Sequence, residues 1–552
     1  MPIADRFRTH DVENQPPALA PYDAYATDAP LREALAREGG AWAESKVAAY
    51  GVIAGGEAMA LGFAANENRP RLRTHDRYGD RIDEVELHPA YHRLMELAME
   101  AGVVGLAWRD AQREGAHVAR AALMYLHNQA DQGTSCPLTM TYASVPSLEQ
   151  QPELAREWLP RILGTAYDGR SVPASEKLAN TIGMGMTEKQ GGSDVRTITT
   201  RATPVDAAGP GQLYELIGHK WFFSAPMSDA FLVLARTGDA LSCFLLPRFT
   251  PDGSRNAVRI QRLKDKLGDW SNASAEVELQ GALAWMVGEP GRGVATILQM
   301  VMLTRQDCII GSASIMRQAL VQAVHHARNR RAFGKRLVEQ PLMRNVLADL
   351  ALSSEASTAL AFRVTRSVDA SARDGGERAL ARIATAIGKY WVCRRCAAFV
   401  NEAQECLGGA GYVEESIMPR LYRQAPLNSI WEGSGNIQCL DVLRSLRKEP
   451  ESRDAYFGEL DAVRGGNRVL DHEAGALRKL LADDGDDFEP RSRRIVERMA
   501  MAFEAACLVR GGNVAIADAF CESRLARQHG VAFGTLEPSA PLDVLIERAL
   551  PE

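Results

Sequence analysis

The amino-acid sequence predicts an α+β protein in which helical segments surround a central antiparallel β-barrel. Two observations support this prediction. Apolar residues recur every three or four positions in the first third of the chain and again after Gly293. Between residues 183 and 289, short β-type segments alternate with Gly, Pro and Asp turns. These changes of pattern divide the chain into four predicted domains, residues 1–180, 181–290, 291–445 and 446–552.

Composition is typical of a globular protein and limits the partners it can have. Of the 552 residues, 46% are hydrophobic and 24% are charged, and this length exceeds what one hydrophobic core usually serves. The net charge of -6 provides no overall attraction for nucleic acid, although it does not exclude a local basic face. No apolar run approaches the roughly 18 residues that a membrane-spanning helix needs. The nine cysteines are scattered and odd in number, which favours a reducing, cytoplasmic setting over a disulfide framework.

The first two predicted domains differ clearly in pattern. From about Leu31 to Leu178 the chain reads as mostly helical, most clearly at residues 94–130, where apolar side chains return at helical spacing. The next region contains LYELIGHKWFFS (213–224) and AFLVLART (230–237), which favour a compact antiparallel sheet or barrel. No strand is followed by Gly-x-Gly-x-x-Gly, so a Rossmann dinucleotide fold is not predicted.

The third predicted domain is a helical bundle. One long helix is expected from Gly293 to the Arg-rich stretch near residue 330, with Gly311 as a weak point. Two further helices are expected around 341–371 and 376–406, and their lengths suit a bundle. After an acidic linker at 481–490, two amphipathic helices form a predicted C-terminal appendix.

Two stretches in the β region are candidate ligand walls. In GMGMTEKQGGSDV (183–195), glycines allow backbone N–H groups to approach a ligand, and Thr187 and Ser193 offer hydroxyl donors. In KWFFS (220–224), two kinds of aromatic side chain stand beside a serine, which suits one wall of a site for an aromatic ring. A polar loop and ordinary strand packing would also explain these stretches.

Two further stretches have features of a phosphate site. An Arg cluster lies between Arg328 and Gln340, and arginine has the fork geometry that phosphate prefers. Cations at a helix C-terminus are also favourable in themselves. Gly408 and Gly409 follow a helical run, and a helix stop explains only one of them. The second glycine would permit close approach of the backbone, for instance to a pyrophosphate.

The fifth stretch is SIWEGSGNIQ (429–438), in which Glu432 lies between Trp431 and Gly433. In a pocket with apolar walls a carboxylate loses solvation, and its pKa rises. A carboxylate with a raised pKa is a stronger base toward a carbon acid while it stays ionised. The stretch therefore predicts either a catalytic base delivered by a loop or an ordinary turn.

Taken together and in order, these motifs resemble those of the acyl-CoA dehydrogenases. Thr-Glu followed by Gly-Ser-Asp, Arg-x-x-Phe-Gly, Gly-Gly-x-Gly-Tyr and Glu-Gly-Ser occur with the spacing of that family over roughly residues 50–445. The stretches GMGMTEKQGGSDV, GHKWFFS, NSIWEGSGNI and DRIDEVELHP, with the extended C-terminal segment, are similar to the AidB-type alkylation-response flavoproteins within the family. The resemblance implies an N-terminal helical domain, a β-barrel and a C-terminal helical bundle, with the appendix added.

The resemblance implies an FAD cofactor between the barrel and the bundle, with Glu432 as the catalytic base. Glu432 would take the α proton of an acyl thioester while the flavin accepts the β hydride. Arg330 and Gln340 would reach the adenosine-diphosphate end of the cofactor from a neighbouring subunit of an expected homotetramer. The cofactor-binding residues implied are Met184, Met186, Thr187, Gly192, Ser193, Trp221, Phe222, Phe223, Ser224, Arg330, Phe333, Gln340, Gly408, Gly409, Ile430, Trp431, Gly433, Ser434, Gly435 and Asn436.

One position departs from the pattern of the family. Many members have Gln three residues before the Gly-Gly pair, where this chain has Glu405. A carboxylate beside a pyrophosphate would repel it, so Glu405 is expected to point elsewhere.

The AidB-type resemblance also implies binding of double-stranded DNA through the C-terminal region, protection of DNA against alkylation, and weak acyl-CoA turnover. Clusters of cations support such a surface. The residues implied are Arg444, Arg447, Lys448, Arg491, Arg493, Arg494, Arg498, Arg524 and Arg527. Solvated faces and salt bridges between subunits explain the same clusters. The alternative function is a metabolic FAD-dependent dehydrogenase of short or branched acyl-CoA, with no DNA role.

No metal or disulfide-exchange site is predicted. His88 and His92 have i, i+4 spacing, but a helix start at Pro89 explains the stretch and no third ligand is in view. Cys393 and Cys396 lie in a helix-like stretch with no second cysteine pair nearby.

Overall fold

The computed structural model describes residues 7–482 and 487–551. Its N-terminal part contains α1 (Ala29–Arg37), α2 (Glu44–Gly55), α3 (Glu57–Glu67), α4 (Pro89–Ala101), α5 (Leu106–Arg109), α6 (Ala116–Ala130), α7 (Ser135–Ala143), α8 (Val145–Leu148) and α9 (Pro152–Ile162). The Asp28 side chain caps the start of α1, and His88 Nδ1 accepts from the Ala90 N–H at the start of α4. Because α6 is buried on almost every side, it forms the centre of this part.

A β-hairpin interrupts these helices. It consists of β1 (Arg71–His75) and β2 (Arg81–Glu86), which pair in antiparallel fashion. The expectation of a mostly helical region from Leu31 to Leu178 missed the hairpin, because two short strands rich in charged residues give only a weak period-two signal. The hairpin contacts the barrel, where Arg81 Nη2 donates to the Ile260 carbonyl at 2.8 Å.

The β region forms a closed barrel. Its strands are β3 (Ile182–Gly185), β4 (Arg201–Pro204), β5 (Leu213–Ser224), β6 (Ala230–Thr237), β7 (Ala240–Pro247), β8 (Val258–Leu263) and β9 (Ser274–Val287). The pairings close in the order β6–β4–β5–β9–β7–β6, and β8 pairs with β9. Most pairings are antiparallel, as predicted, but β3 and β4 both run parallel to β6. They lie end to end along one edge of β6, and the loop between them leaves and rejoins that edge.

Apolar side chains fill the inside of the barrel. The rings of Phe223 and Phe231 lie 4.1 Å apart, and those of Tyr214 and Phe244 lie 5.2 Å apart. Phe223 is fully buried in this cluster. The structure therefore contradicts the prediction of a cofactor contact by the Phe223 side chain, because alternate residues of a strand point to opposite faces.

Three long helices form the bundle, α10 (Gly293–Asn329), α11 (Pro341–Ala370) and α12 (Gly375–Glu405), and they confirm the three predicted helices. A short hairpin of β10 (Arg331–Ala332) and β11 (Lys335–Arg336) joins α10 to α11. Gly311 does not interrupt α10. Its carbonyl accepts from Asn128 Nδ2 at 3.0 Å, and an added Cβ would lie 3.2 Å from Asn428 Nδ2, so a close helix contact requires glycine here.

The C-terminal part packs against the bundle. It contains α13 (Met418–Gln424), α14 (Gly435–Lys448), α15 (Pro450–Asp461), α16 (Arg468–Ala482), α17 (Phe488–Arg510), α18 (Val514–Phe520) and α19 (Leu542–Ala549). The predicted boundary at 445/446 falls inside α14. The predicted acidic linker at 481–490 lies partly outside the described residues, and three helices follow it where two were expected. Helix α17 contacts α11 and α12, and α19 contacts α11.

The described residues include neither a clear membrane-spanning helix nor a cluster of metal ligands. No single helix there is long and apolar enough to cross a membrane, although one pair bent by 47°, Ala41–Gly55 with Glu57–Glu67, passes on length and composition. The same residues contain no group of three or more His, Cys, Asp or Glu side chains that could hold a metal ion.

Candidate active site

The loop that carries Glu432 joins α13 to α14 and has an unusual backbone. Glu432 and Gly433 have φ angles of 58° and 94°, and a residue with a side chain adopts this conformation only where its surroundings impose it. Lys389 Nζ donates to the carbonyls of Trp431 at 2.7 Å and Gly433 at 2.6 Å. Arg305 Nε donates to the Glu432 carbonyl at 2.9 Å. Side chains of α10 and α12 therefore hold three consecutive carbonyls.

The Glu432 carboxylate is half-buried and bonds to Thr304. Thr304 Oγ1 lies 2.7 Å from Glu432 Oε2 and 3.0 Å from the Val301 carbonyl. Its one hydrogen can go to the carboxylate when Glu432 is ionised, or to the carbonyl when Glu432 is protonated. Burial raises the pKa of Glu432, and Thr304, Arg305 and Lys389 offset only part of the effect. The site therefore holds a carboxylate of raised basicity with a partner in both protonation states.

The two cations below the loop are anchored differently. Arg305 Nη1 pairs with Asp441 at 3.0 Å, and Asp441 also pairs with Arg382. Lys389 is 1% exposed, and within the described residues its hydrogen-bond partners are the two loop carbonyls. Its charge therefore acts on the loop and favours the ionised form of Glu432.

A buried carboxylate fixes the loop after β3. Glu188 accepts from Lys220 Nζ at 2.9 Å and from Thr200 Oγ1 at 2.5 Å. Burial alone would raise the pKa of Glu188, but Lys220 and Thr200 outweigh it and hold that pKa below its usual range. The Thr187 carbonyl accepts from the Trp221 N–H at 2.8 Å, which places the loop beside β5. Glu188, the acid of the Thr-Glu motif, thus holds the loop that carries Thr187.

The predicted flavin wall on β5 presents aromatic surface and hydroxyls. The Phe222 side chain is exposed beside Trp221, although it belongs to a strand. Within the described residues the Thr187 hydroxyl has no hydrogen-bond partner. Ser224 Oγ has a long contact of 3.5 Å to Ser274 Oγ. Trp221 is half-buried, and Lys264 Nζ lies 3.4 Å from the centroid of its ring. One exposed ring with two under-used hydroxyls fits a heteroaromatic ring, so the residues present fit a flavin.

The other predicted residues of the β3 loop differ in what they offer. Met184 is buried in β3 and pairs with Leu232 of β6. Met186 and Gly192 are half-buried and Ser193 is exposed. An added Cβ at Gly192 would lie 2.5 Å from Thr187 Oγ1, so this turn requires glycine.

Residues of the Glu432 loop also include several predicted cofactor contacts. Ile430 is exposed, and Trp431 Nε1 donates to Asn428 Oδ1 at 2.9 Å. Ser434 is the residue before α14, whose first residue is Gly435. Asn436 accepts a hydrogen bond from Arg493 of α17 at 2.8 Å. These residues occupy one short segment with Glu432, and their contact with a flavin stays a prediction.

The Arg-x-x-Phe-Gly and Gly-Gly motifs lie far from Thr304 within one chain. Because a helix rises about 1.5 Å per residue, Arg330 at the end of α10 is roughly 38 Å from Thr304. Phe333 is 97% exposed, and an added Cβ at Gly408 or Gly409 would meet nothing within 4 Å. One chain therefore does not bring these motifs to its own Glu432.

Side chains near these motifs bond locally. Arg330 Nη1 donates to the Asn14 carbonyl, and Gln340 Nε2 donates to the Ala332 carbonyl at 3.0 Å. Glu405 is exposed at the end of α12.

Two predicted basic clusters meet on one surface, because α14 packs against α17. The Arg447 guanidinium lies 5.9 Å from the ring of Phe488, and Arg491 pairs with Asp487 at 2.9 Å. The bond from Arg493 to Asn436 joins this surface to the Glu432 loop. We call it the α14–α17 basic face, and it comprises the exposed residues Arg444, Arg447, Lys448, Arg491, Arg493 and Arg494.

The structure contradicts the DNA-binding prediction for two cations. Arg524 is 6% exposed and pairs with Asp349. Arg498 is half-buried and donates twice to Glu473, at 2.6 and 3.0 Å. A guanidinium that is buried, or half-buried with two bonds to a carboxylate, is not available to a phosphate, whereas the pair of Arg491 with Asp487 is exposed to solvent and can exchange. Arg527 is exposed, outside the α14–α17 basic face.

Sequence reasoning missed Thr304, Arg305 and Lys389. Each interrupts an apolar helical stretch, the first two in MVMLTRQDCII and the third in IATAIGKYW. A polar residue on a face that should be buried is the signal that could have indicated them, since such residues are seldom buried without partners.

Family comparisons agree with this geometry. Residues 14–169 match the adaptive response protein AidB N-terminal domain, residues 183–282 the acyl-CoA dehydrogenase middle domain, and residues 291–447 the acyl-CoA dehydrogenase C-terminal domain. AidB of Escherichia coli (strain K12) is 45% identical over 95% of this chain and 96% of its own. Acyl-CoA dehydrogenase family member 11 of Caenorhabditis elegans is 31% identical over 75% of this chain and 68% of its own.

Solved structures show the same fold. The crystal structure of Caenorhabditis elegans ACDH-11 in complex with C11-CoA has a TM-score of 0.86 at 27% identity and covers 94% of both chains. The apo form of Bd2924 has a TM-score of 0.83 at 30% identity, covering 91% of this chain and 100% of that one. The predicted fold and family are confirmed, and FAD is the cofactor of this family of oxidoreductases. This chain belongs to the acyl-CoA dehydrogenase family, as a flavoprotein of the AidB type.

Proposed function

We propose that this protein dehydrogenates a CoA thioester, with Glu432 as the base that removes the α proton. The observation that carries the proposal is the Glu432 carboxylate itself, desolvated, bonded to Thr304 and held on a loop whose carbonyls are fixed by Lys389 and Arg305. A positioned carboxylate of raised pKa is suited to a weak carbon acid. The C11-CoA bound by the nematode relative supports an acyl-CoA as the substrate class.

The proposed reaction breaks two C–H bonds. The α proton passes to the Glu432 carboxylate, and the hydrogen on the β carbon leaves with its electron pair. FAD, when bound, supplies the acceptor of that hydride. A double bond forms between the two carbons, which gives a 2-enoyl thioester. The Glu432 N–H has no partner among the described residues, so it is available to donate to the thioester oxygen as that oxygen gains negative charge.

The substitution Glu432→Gln tests the assignment of the base. Mixing the holoenzyme with undecanoyl-CoA should bleach the oxidised flavin in the parent, and the variant should do so about 10²- to 10⁴-fold more slowly, the usual contribution of a general base. Flavin content should not change. Glu405→Gln, at an exposed position on α12, is the matched control and should bleach at the parent rate. An unchanged rate in Glu432→Gln would show that Glu432 is not the base.

We further propose that the α14–α17 basic face binds the phosphate backbone of double-stranded DNA. Cations from two segments of the sequence converge there on one exposed surface, which is the arrangement that backbone binding needs. The AidB-type assignment supports protection of DNA against alkylation as the role of this binding, with weak acyl-CoA turnover.

Salt dependence tests the DNA proposal. Each phosphate contact contributes about 0.9 to the slope of log K against log salt, so removing three contacts should reduce the slope by about 3. The test variant carries alanine at Arg491, Arg493 and Arg494. The control carries alanine at three exposed strand arginines, Arg71, Arg73 and Arg201. Equal slopes for the test variant and the parent would contradict the proposal.

The alternative is a metabolic dehydrogenase of short or branched acyl-CoA without a DNA role. Rapid turnover with butyryl- or isovaleryl-CoA, together with no retention on DNA at low salt, would favour it. The opposite pair of results would favour the DNA-binding flavoprotein.

We also propose a homotetramer in the cytoplasm. The outward-facing Arg330 and Gly408–Gly409 motifs need a neighbouring copy to meet a flavin, and all nine cysteines are free, buried thiols, as expected in a reducing compartment. Sedimentation should give four chains of 60.3 kDa, and a monomer that retains FAD would contradict the assembly.

A further inference from the structure

A cavity of about 910 Å³ lies between the β1–β2 hairpin, the start of α4 and one end of the barrel. Its volume is in the range of small-molecule sites, roughly 300–1,000 Å³. Among the described residues that line it there is no residue of the Glu432 loop and none predicted to contact the flavin. The cavity is therefore separate from the candidate active site.

Arg248, just after β7, lines this cavity. Its Nη1 donates to the Met227 carbonyl at 2.9 Å and its Nη2 to Ser171 Oγ at 3.0 Å, whereas its Nε is buried and has no partner. Among the described residues, no carboxylate forms an ion pair with it. Burial lowers the pKa of Arg248 because it disfavours the charged form, and Asp229 and Glu84 offset only part of the effect.

The neighbouring carboxylate is already occupied. Asp229 accepts from Lys177 Nζ at 2.7 Å and from the Thr181 N–H at 2.8 Å. Three further carboxylates of the lining are paired as well. These pairs are Glu84 with Arg255, Glu86 with Arg73, and Asp168 with Arg170. Arg248 is thus left with donor capacity that an added anion would satisfy.

One part of the wall is apolar or aromatic, beside the charged and polar residues. Tyr91 and Met95 of α4 are buried, and Pro137 of α7 lies beside them. The Tyr167 hydroxyl bonds to His92 Nδ1 at 2.9 Å, which fixes the orientation of both rings. A ligand in this cavity would therefore meet an apolar wall on one side and a guanidinium on the other.

We propose that this cavity binds a small organic monocarboxylate with an apolar body, whose carboxylate pairs with Arg248. The planar fork of arginine matches a carboxylate, and Nη1 and Nη2 of Arg248 each keep an N–H beyond their bonds to Met227 and Ser171. A doubly charged phosphate fits less well, because Glu67, Glu84 and Glu86 also line the cavity and would repel it. The apolar wall favours a chain or ring over a small polar acid.

Calorimetric titration of the holoenzyme with decanoate tests the proposal, with decanol and decyl phosphate as comparison ligands. Decanoate should bind more tightly than either. Arg248→Met should weaken decanoate binding at least about tenfold, as expected for loss of a charged hydrogen-bond partner. The control Arg201→Met, at an exposed position on β4 outside the cavity, should bind as the parent does.

A milder variant and a competition experiment keep the test decisive. Arg248→Lys retains the charge and loses the fork, so it should also bind more weakly while flavin content is unchanged. Saturating undecanoyl-CoA should not displace decanoate. Parent-like affinity in Arg248→Lys, displacement by the thioester, or tighter binding of decyl phosphate would each overturn the proposal.

Discussion

Glu504 of α17 is a buried carboxylate that joins the appendix to the bundle. Trp391 Nε1 donates to Glu504 Oε2 at 2.8 Å, and Ser357 Oγ donates to Oε1 at 3.3 Å. Burial raises the pKa of Glu504 to about 7, and Trp391 and Arg395 offset only part of the effect. The folded protein therefore favours the protonated acid.

This preference makes stability depend on pH. Glu504 titrates near its ordinary value of 4.5 in the unfolded chain and near about 7 in the folded one. Its contribution is thus fully present below pH 4.5 and is lost as the pH rises from 4.5 to about 7. At about 1.36 kcal/mol per pH unit, the loss amounts to about 3 kcal/mol. Glu504→Gln resembles the protonated acid, so it should remove this loss.

Hydrogen exchange of the α17 amides is the appropriate assay, because a chain with several domains does not unfold in one two-state step. At pH 8 the α17 amides of Glu504→Gln should exchange more slowly than those of the parent, by on the order of a hundredfold for about 3 kcal/mol. At pH 5 the two proteins should differ by less than about tenfold. Glu497→Gln, exposed on the same helix, should exchange as the parent does. Faster exchange in Glu504→Gln at pH 8 would refute the reasoning, since it would mean that Glu504 is ionised and paired with Arg395.

Two further predictions concern the Glu432 loop. Thr304→Val removes the hydroxyl that favours ionised Glu432. The pH profile of flavin bleaching by undecanoyl-CoA should therefore move up by about one pH unit, with FAD content unchanged. A profile that stays in place would contradict the role of Thr304. Lys389→Met removes a donor from two loop carbonyls, of which Gly433 keeps Gln438 Nε2, and it removes a nearby positive charge. Hydrogen exchange of residues 430–436 should therefore accelerate, and the bleaching profile should also move up. Arg382→Met, which acts on Asp441 rather than on the loop carbonyls, is the control, and an equal effect there would contradict the specific role of Lys389.

Much of the architecture was predictable from local pattern. The helical period continued through Gly311 and ended near Arg330 because apolar spacing and chain length are local properties of α10. The hairpin β1–β2 was missed, since strands of five and six residues carry too little period-two signal against charged neighbours. The parallel placement of β3 and β4 was missed because it depends on which strand edge they meet.

Order of motifs along the chain was enough to indicate the family, the cofactor and the importance of Glu432, since each motif lies within a few consecutive residues. Contacts between distant positions were not accessible in this way. Thr304 is 128 positions from Glu432, and Arg524 is 175 positions from Asp349. Folding alone puts the first pair in a hydrogen bond and hides Arg524 from solvent. The physical reason is that the burial of a side chain and its hydrogen-bond partners depend on how helices and strands pack together. Secondary-structure propensity and the spacing of apolar residues act only between residues that are close in the sequence.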